Sequence, residues 1–199
     1  MTKRAFDLIV SFLGLVVLAP VFVLIAVAIK LSDRGPVFFG QERIGLGGKP
    51  FRIQKFRTMR LNAEKQGPSI TKAGDSRVTK LGALLRKWKL DELPQLLNVF
   101  RGHMAIVGPR PEVPRYVALY TEEQRRVLAL RPGITDLATL RFRNEEAMLA
   151  KAEDPEIFYR EYCIPKKIAL NLEYAERARL VTDIALIFAT LAAIFTGAD

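Results

Sequence analysis

The stretch LIVSFLGLVVLAPVFVLIAVAI, residues 8–29, carries no charge and is about 22 residues long, enough to cross a bilayer as a helix. It is longer than the apolar region of a secretory signal peptide, and no small-residue cleavage site follows it. Pro20 lies near its middle. Because proline removes a backbone donor and clashes with the preceding turn, the helix is expected to bend or break around Ala19 and Pro20. The stretch therefore predicts a membrane element with a central break.

Basic residues flank both ends of this stretch, Lys3 and Arg4 before it and Lys30 and Arg34 after it. The positive-inside rule predicts the orientation of a membrane span from a difference in Lys and Arg content between its two ends. Here both ends are basic, so the rule does not indicate which end faces the cytoplasm. Two arrangements stay open: a straight spanning helix, which tolerates proline, and a helix-break-helix hairpin that returns to the same face. The residues alone favour the straight span.

The composition of the whole chain indicates anionic partners. Half of the 199 residues are hydrophobic, and 31 Lys and Arg against 21 Asp and Glu leave a net charge of +10. This combination favours an anionic membrane surface, phosphorylated substrates or both, with nucleic acid as the competing explanation. One cysteine, Cys163, and one histidine, His103, exclude an internal disulfide and argue against a zinc site. Any metal would be a hard cation held by carboxylates and substrate phosphates.

After Pro36 the composition becomes mixed, and the patterns predict a mainly helical domain with one small β-hairpin. Trp88 and the surrounding basic residues suit an interfacial amphipathic helix, although a core helix with a solvated basic face is an equally good interpretation. The predicted elements are a hairpin of 37–39 with 51–56 around a glycine-rich turn, a mobile loop over 62–76, helices over 77–90, 91–100, 144–152 and 156–178, and an apolar run over 184–195 that is too short to span a bilayer.

Asp91 and Glu92 are the residues where chemistry is most strongly indicated. In the simplest interpretation Asp91 is a helix N-cap, with Pro94 in the first turn. In the second, the helix N-terminus keeps Asp91 ionised and nucleophilic, while Glu92 helps to hold a divalent cation or takes a proton.

Several basic residues near this pair in the sequence suit a diphosphate, although each is an ordinary surface charge when taken singly. Arg110 and Arg131 are distinctive because neighbouring proline and glycine restrict their backbones. A restricted backbone suits an arginine that binds a phosphate through two hydrogen bonds. The candidate phosphate-binding residues are Lys55, Arg57, Arg86, the segment Pro109-Arg110-Pro111, and Arg131 with Gly133.

An ordered series of short motifs closely resembles the bacterial sugar transferase family, the small monotopic phosphoglycosyl transferases. Each motif alone is weak, but their order over nearly the whole chain is highly specific. The motifs are GPVFF (35–39), QERIG (41–45), KFRTM (55–59), LG (81–82), LLRK (84–87), LDELPQ (90–95), VGPRP (107–111) and RPGIT (131–135).

The resemblance implies a monotopic membrane protein of three parts. Residues 1–35 would be a re-entrant membrane hairpin broken near Pro20, with both ends on the cytoplasmic face of the bacterial inner membrane. Residues 36–180 would be the cytoplasmic catalytic domain, and residues 181–199 a C-terminal apolar helix, packed or interfacial. With the resemblance, the hairpin is favoured over the straight span.

The resemblance also implies the chemistry. Asp91 would be the covalent nucleophile and Glu92 its catalytic partner, with Mg²⁺ as cofactor bound by this pair. The donor would be a UDP-sugar and the acceptor undecaprenyl phosphate or another polyprenyl phosphate. The products would be a polyprenyl-diphosphate sugar and UMP, which starts cell-surface glycan assembly. Membrane lipids are expected partners and nucleic acid is not; homo-oligomerisation is left open.

Three departures from the family pattern bear on these expectations. Ala19 stands where serine is familiar, so the break relies on Pro20. His103 stands where aspartate is common, and is expected to be structural. Residues 136–145 differ from the usual pattern, which affects the expected donor sugar but not the chemistry.

Two other classes of function compete with the enzyme. A non-catalytic peripheral membrane protein would explain the basic helices but not the Asp91-Glu92 pair. A nucleic-acid-binding protein would explain the charge but not the apolar N-terminus, and no recognition motif supports it. The sequence therefore favours a membrane-associated phosphoglycosyl transferase.

Overall fold

The computed structural model describes residues 2–63, 71 and 73–196, and it is mainly helical, with one small antiparallel hairpin as predicted. Most of the predicted loop over 62–76 lies outside the described residues. The helices are α1 (Lys3–Val17), α2 (Ala19–Asp33), α3 (Lys80–Lys87), α4 (Gln95–Phe100), α5 (Pro114–Val117), α6 (Glu122–Arg125), α7 (Leu137–Arg141), α8 (Glu145–Lys151), α9 (Pro155–Phe158), α10 (Ile164–Glu176) and α11 (Leu180–Thr196). The strands are β1 (Phe38–Ile44), β2 (Pro50–Phe56), β3 (Ala105–Val107) and β4 (Gly133–Thr135).

The apolar N-terminal stretch forms two helices, α1 and α2, that meet at an angle of 59°. Pro20 lies in the first turn of α2, where the missing N–H costs no hydrogen bond, so it begins a second helix and does not interrupt a continuous one. Among the described residues, only this bent pair has the combined length and apolar composition of a membrane span, and no helix does so by itself.

The helical pair packs against the rest of the chain. Ile25 and Ile29 of α2 form a buried cluster with Phe56 of β2 and Leu85 of α3. At the C-terminal end of α2, the Arg57 guanidinium donates to the Asp33 carboxylate and, at 2.7 Å, to the Pro36 carbonyl. The hairpin and the domain are therefore joined by both apolar packing and an ion pair.

The β1–β2 hairpin has the predicted glycine-rich turn. Its register runs from Phe38 opposite Phe56 to Ile44 opposite Pro50. Gly47 and Gly48 have φ values of +66° and +75°, in the left-handed region of backbone conformation. Residues other than glycine rarely adopt this conformation. The turn fixes the register and so places Lys55, near the end of β2, on the wall of the main cavity.

The two helices predicted over 77–90 and 91–100 are both shorter than expected. Thr79 caps α3, with its hydroxyl accepting from the Gly82 N–H at 2.9 Å. Before it, Val78 pairs with Met59 in an isolated β-bridge, which holds the chain extended. After α3, Lys89 has a φ of +54°, which ends the helical path before a separate 3₁₀ turn, Leu90–Glu92.

The prediction that Asp91 caps a helix is wrong. Asp91 and Glu92 lie inside the 3₁₀ turn, and α4 begins only at Gln95, with Pro94 as its N-cap. A helix dipole at Asp91 therefore does not account for its ionisation. The Lys55 ammonium favours the ionised form of Asp91 instead, against the effect of burial.

The β3–β4 pair was not predicted from the sequence. The two strands are parallel, with Ala105 opposite Gly133 and Val107 opposite Thr135. A Cβ added to Gly133 would lie 2.1 Å from the Gly108 backbone nitrogen, so this close approach requires glycine. The pair brings the segment after β3 beside the segment that enters β4.

The predicted helix over 156–178 is divided. Short α9 continues through a π-helical turn, Tyr159–Cys163, into α10. Pro165 lies in the first turn of α10, where its missing donor is tolerated.

The C-terminal helix α11 has 17 residues, longer than the predicted apolar run. One face packs on the domain through Asp183, which accepts hydrogen bonds from Lys3 Nζ at 2.7 Å and from the Tyr174 hydroxyl. The opposite face exposes Val181, Phe188 and Phe195. The helix is therefore anchored to α1 and α10 by a buried polar cluster while leaving an apolar surface exposed.

Candidate active site

The main cavity has a volume of about 640 Å³ and lies between the β1–β2 hairpin, the segment after β3, and helices α7 and α10. Asp91 contributes to its wall, together with Lys55, Arg86 and the segment Pro109-Arg110-Pro111. The structure therefore brings most of the predicted site residues to one cavity, although they come from separate parts of the sequence.

Asp91 is a buried carboxylate without a committed partner. Its side chain is 7% exposed, and it accepts no hydrogen bond from the residues that the structure describes. Burial raises the pKa of Asp91 above its ordinary value, Lys55 opposes the rise, and the adjacent Glu92 adds to it. The carboxylate is thus held near a cation but is free to react or to bind a ligand.

Glu92 is, in contrast, fully engaged by two cations. Its Oε1 accepts from Lys55 Nζ at 2.9 Å and from Arg110 Nη2 at 2.5 Å, and its Oε2 accepts from Arg110 Nη1 at 3.1 Å. Burial opposes its ionisation, but Arg110 and Lys55 outweigh burial and hold the pKa of Glu92 well below its usual range. In turn, the charge of Glu92 raises the pKa of Arg110.

These contacts give Glu92 a role different from proton transfer. A group whose pKa lies well below its usual range is a poor base near neutral pH. The bidentate pairing of Glu92 with Arg110 instead fixes the plane of the guanidinium. Because Glu92 Oε1 also accepts from Lys55, the Lys55 ammonium lies beside that guanidinium. Glu92 therefore holds both cations next to Asp91.

The segment carrying Arg110 is held by its backbone. The Arg110 N–H donates to Asp136 Oδ2 at 2.9 Å, the Pro109 carbonyl accepts from the Gly133 N–H at 3.0 Å, and the Pro111 carbonyl accepts from Arg43 Nη1 at 3.1 Å. These three contacts come from β1, β4 and the start of α7. The position of Arg110 is thus determined by long-range structure.

Asp136 is the main anchor of this segment. It is 1% exposed, and besides Arg110 it accepts from the Thr139 N–H at 2.5 Å and from Asn171 Nδ2 at 3.0 Å. One carboxylate therefore caps α7, binds α10 and fixes the arginine segment.

A second buried cluster supports the same segment from the other side. Glu112 accepts from Arg43 Nη1 at 3.2 Å through Oε1 and from the Tyr159 hydroxyl through Oε2. Burial and then the Glu112 charge raise the pKa of Tyr159 well above its ordinary value, so the phenol stays a hydrogen-bond donor.

Sequence reasoning assigned no role to Arg43, Glu112, Asp136, Tyr159 or Asn171. Arg43 and Glu112 lie inside or directly beside quoted motifs, and Asp136 follows RPGIT. These three residues are charged and lie next to conformationally restricted segments. That position in the sequence was the only sign that they could contribute to the site. Asn171 and Tyr159 offered none, because they reach the cavity only through the packing of the C-terminal helices.

The other predicted phosphate-binding residues are less available. Arg57 lines the cavity, but its guanidinium is committed to Asp33 and Pro36. Arg86 donates to Glu146 Oε1 at 2.6 Å.

Arg131 does not belong to the cavity wall. Its Nη1 donates to the Gly102 carbonyl at 2.9 Å, and Gly133 serves the close strand approach described above. The structure thus keeps Arg131 out of the cavity that Arg110 lines, while Gly133 supports the Arg110 segment only through its backbone contact with Pro109.

Cys163 and His103 have structural surroundings. Cys163 is free and fully buried, and burial raises its thiol pKa to about 11, which disfavours the reactive thiolate. The His103 ring lies 5.9 Å from the Phe51 ring.

The profile of one protein family, described as bacterial sugar transferase, matches residues 1–197. This chain belongs to the bacterial sugar transferase family. It is a transferase, and the alternative of a non-catalytic lipid-binding protein is not supported.

Three relatives illustrate the similarity. The chain is 35% identical to the exopolysaccharide production protein ExoY of Sinorhizobium fredii, over 97% of this chain and 85% of the relative. It is 38% identical to a UDP-glucose:undecaprenyl-phosphate glucose-1-phosphate transferase of Caulobacter vibrioides, over 98% of this chain and 70% of the relative. It is 36% identical to an Aeromonas hydrophila UDP-N-acetylgalactosamine-undecaprenyl-phosphate N-acetylgalactosaminephosphotransferase, over 98% of this chain but only 44% of that protein.

The role of Asp136 can be tested against a second N-cap. Asp136→Ala leaves three partly or fully buried donors without their acceptor and is expected to lower the free energy of unfolding by about 3 kcal/mol. Asp154→Ala removes the cap of α9, which accepts from the Glu156 and Ile157 N–H groups at an exposed site, and should cost about 1 kcal/mol. Denaturant unfolding in detergent measures both. Equal losses would contradict a special anchoring role for Asp136.

Proposed function

We propose that this transferase moves a sugar-1-phosphate from a UDP-sugar to undecaprenyl phosphate or a similar polyprenyl phosphate. The products are a polyprenyl-diphosphate sugar and UMP, and the reaction starts the assembly of a cell-surface glycan. The names of the Caulobacter and Aeromonas relatives support the acceptor and the class of donor, and the ExoY relative supports a role in exopolysaccharide production.

The observation that carries the proposal is the contrast between the two adjacent carboxylates. Glu92 is neutralised by Lys55 and Arg110, whereas Asp91 is buried beside Lys55 with no hydrogen-bond donor among the described residues. A carboxylate that is ionised but poorly solvated is a stronger nucleophile than one solvated by water. The neighbouring cations also suit the negative charge of a diphosphate.

In the first step, a carboxylate oxygen of Asp91 attacks the phosphorus next to the sugar. A new bond forms between that oxygen and phosphorus, and the bond from the same phosphorus to the bridging oxygen of the diphosphate breaks. UMP leaves with the electron pair of that bond. Arg110 and Lys55 stabilise the charge on the phosphoryl oxygens during the displacement.

In the second step, a phosphate oxygen of the polyprenyl phosphate attacks the same phosphorus. The bond to Asp91 breaks, and the electron pair returns to the carboxylate. The enzyme is restored, and the sugar-1-phosphate is now part of a polyprenyl diphosphate. Dividing the transfer into two displacements predicts ping-pong kinetics.

The residues present fit a magnesium ion held mainly by substrate, which we include in the proposal. Within the described chain, no group of three or more His, Cys, Asp or Glu side chains could hold a metal, but Mg²⁺ commonly binds one or two carboxylates together with substrate phosphates. Asp91 and Glu92 would be its protein ligands, since from the described residues Asp91 accepts no hydrogen bond and Glu92 Oε2 accepts only one. When bound, the ion would neutralise charge on the donor diphosphate.

We also propose that α1 and α2 form a re-entrant hairpin on the cytoplasmic side of the bacterial inner membrane. Their bend of 59° and the basic residues at both ends support this arrangement over a straight span. The ion pair of Asp33 with Arg57 ties the returning helix to the domain. Such a hairpin would hold the cavity at headgroup depth, where the phosphate of a membrane-bound acceptor lies.

Asp91→Asn tests the nucleophile. The amide cannot form the phosphoryl intermediate, so UMP release from a UDP-sugar with Mg²⁺ should fall on the order of 1,000-fold or more. Asp154→Asn is the matched control, because asparagine also caps helices well, and it should retain the wild-type rate. A UMP-release assay in detergent or nanodiscs over a panel of UDP-sugars measures both. Wild-type turnover by Asp91→Asn would refute the assignment.

The hairpin can be tested with single cysteines in a Cys163→Ala background. One cysteine is added before Met1, and the other is Ser32→Cys at the exposed end of α2. A membrane-impermeant maleimide should label neither in intact spheroplasts and both after lysis. Labelling of exactly one end in intact spheroplasts is the outcome expected of a straight span.

A further inference from the structure

A second groove, with a volume of about 730 Å³, opens beside the main cavity. It runs between α3 and the α7–α8 segment, and it shares part of its lining with the cavity, including Arg86, Arg110 and Thr139. A molecule in this groove would therefore lie next to the candidate nucleophile without occupying the space available to the donor.

The groove carries positive charge that is not ion-paired within the part of the chain that the structure describes. Lys80, Lys87 and Arg143 line it, are exposed to solvent, and form no ion pair with any described residue. The acidic side chains of α8 that line the groove are already paired, Glu146 with Arg86 and Glu145 with Lys167. The groove thus has capacity for an additional anion.

An exposed apolar strip runs alongside these cations. Successive helical residues are offset by about 100°, which places Leu84 and Trp88 on the flank of α3 next to Lys80 and Lys87. Leu84 is 53% exposed and Trp88 38%, and the Trp88 ring lies 6.4 Å from the Phe195 ring of α11. The strip is therefore continuous with the exposed apolar face of α11.

Cations in a groove and an apolar strip beside it match one class of molecule, a phosphate carried on a long hydrocarbon chain. We propose that this groove is the acceptor subsite: Lys80, Lys87 and Arg143 bind the phosphate of a polyprenyl phosphate, and the chain lies along Leu84, Trp88 and α11. This inference rests on the proposed function. A nucleotide-sugar fits the groove less well, because it has no hydrocarbon chain to cover a strip that extends from Leu84 to α11.

The two half-reactions allow the subsite to be tested separately from the chemistry. The test variant is Lys80→Gln/Lys87→Gln/Arg143→Gln. The matched control is Lys49→Gln/Arg125→Gln/Arg126→Gln, which removes the same charge at exposed positions outside both cavities. Both are assayed in neutral detergent with UDP-sugar, Mg²⁺ and a short-chain polyprenyl phosphate, so that general attraction to an anionic membrane does not contribute.

The groove variant should raise the KM for polyprenyl phosphate about tenfold, since each exposed charge contact contributes a factor of a few. The groove variant should keep the wild-type KM for the UDP-sugar and the wild-type burst of UMP released without acceptor. The control variant should match the wild type in all three measurements.

Two results would overturn the subsite. An unchanged acceptor KM in the groove variant would show that these cations do not bind the acceptor, and a raised UDP-sugar KM in its place would assign the groove to the donor. Failure of the proposed function itself has a different signature, because the wild type would then release no UMP with any UDP-sugar, and the inference would fail with it.

Discussion

The ion-paired state of Glu92 is the interaction on which the rest of the site depends. Burying a carboxylate is costly unless it is paired and hydrogen-bonded, and Glu92 meets that condition by accepting from both Lys55 and Arg110. The site contains two carboxylates, Asp91 and Glu92, and two cations, Lys55 and Arg110. With both carboxylates ionised, the negative and positive charges are equal in number. Among these charges, Lys55 opposes the rise in the pKa of Asp91 that burial causes. An uncommitted carboxylate would otherwise be protonated or solvated.

The fold serves mainly to bring these four groups together. The hairpin register places Lys55, the 3₁₀ turn after Lys89 places both carboxylates, and Asp136 with Gly133 fixes the backbone around Arg110. Each position depends on contacts between distant parts of the chain. The close approach of β3 and β4, which only glycine allows, is as necessary for the site as the charged residues are.

Much of this arrangement could be predicted from the sequence. The apolar stretch with Pro20, the β-hairpin with its glycine turn, and the grouping of Asp91, Lys55 and Arg110 at one cavity all follow from local composition or motif order. These features depend on short-range preferences or on motifs whose order is distinctive, so the sequence expresses them directly.

The remainder depends on packing that local patterns do not encode. The β3 and β4 strands have three residues each, too few for a periodic signal, so their pairing and the exclusion of Arg131 from the cavity were not foreseen. The N-cap assigned to Asp91 was wrong because the left-handed backbone of Lys89 and the position of Pro94 separate the turn from α4. In the sequence Glu92 resembled a base, and only the positions of Arg110 and Lys55 reveal it as their anchor.

The proposed mechanism requires that Asp91 becomes covalently attached to the phosphosugar, and direct trapping tests this step. Purified protein in nanodiscs is mixed with a UDP-sugar labelled with ³²P in the phosphate next to the sugar, quenched within milliseconds, and analysed by peptide mapping. The account predicts a label on the peptide containing residue 91 that disappears when polyprenyl phosphate is added before the quench. Complete transfer of label to the lipid without any protein-bound label at early times would contradict it.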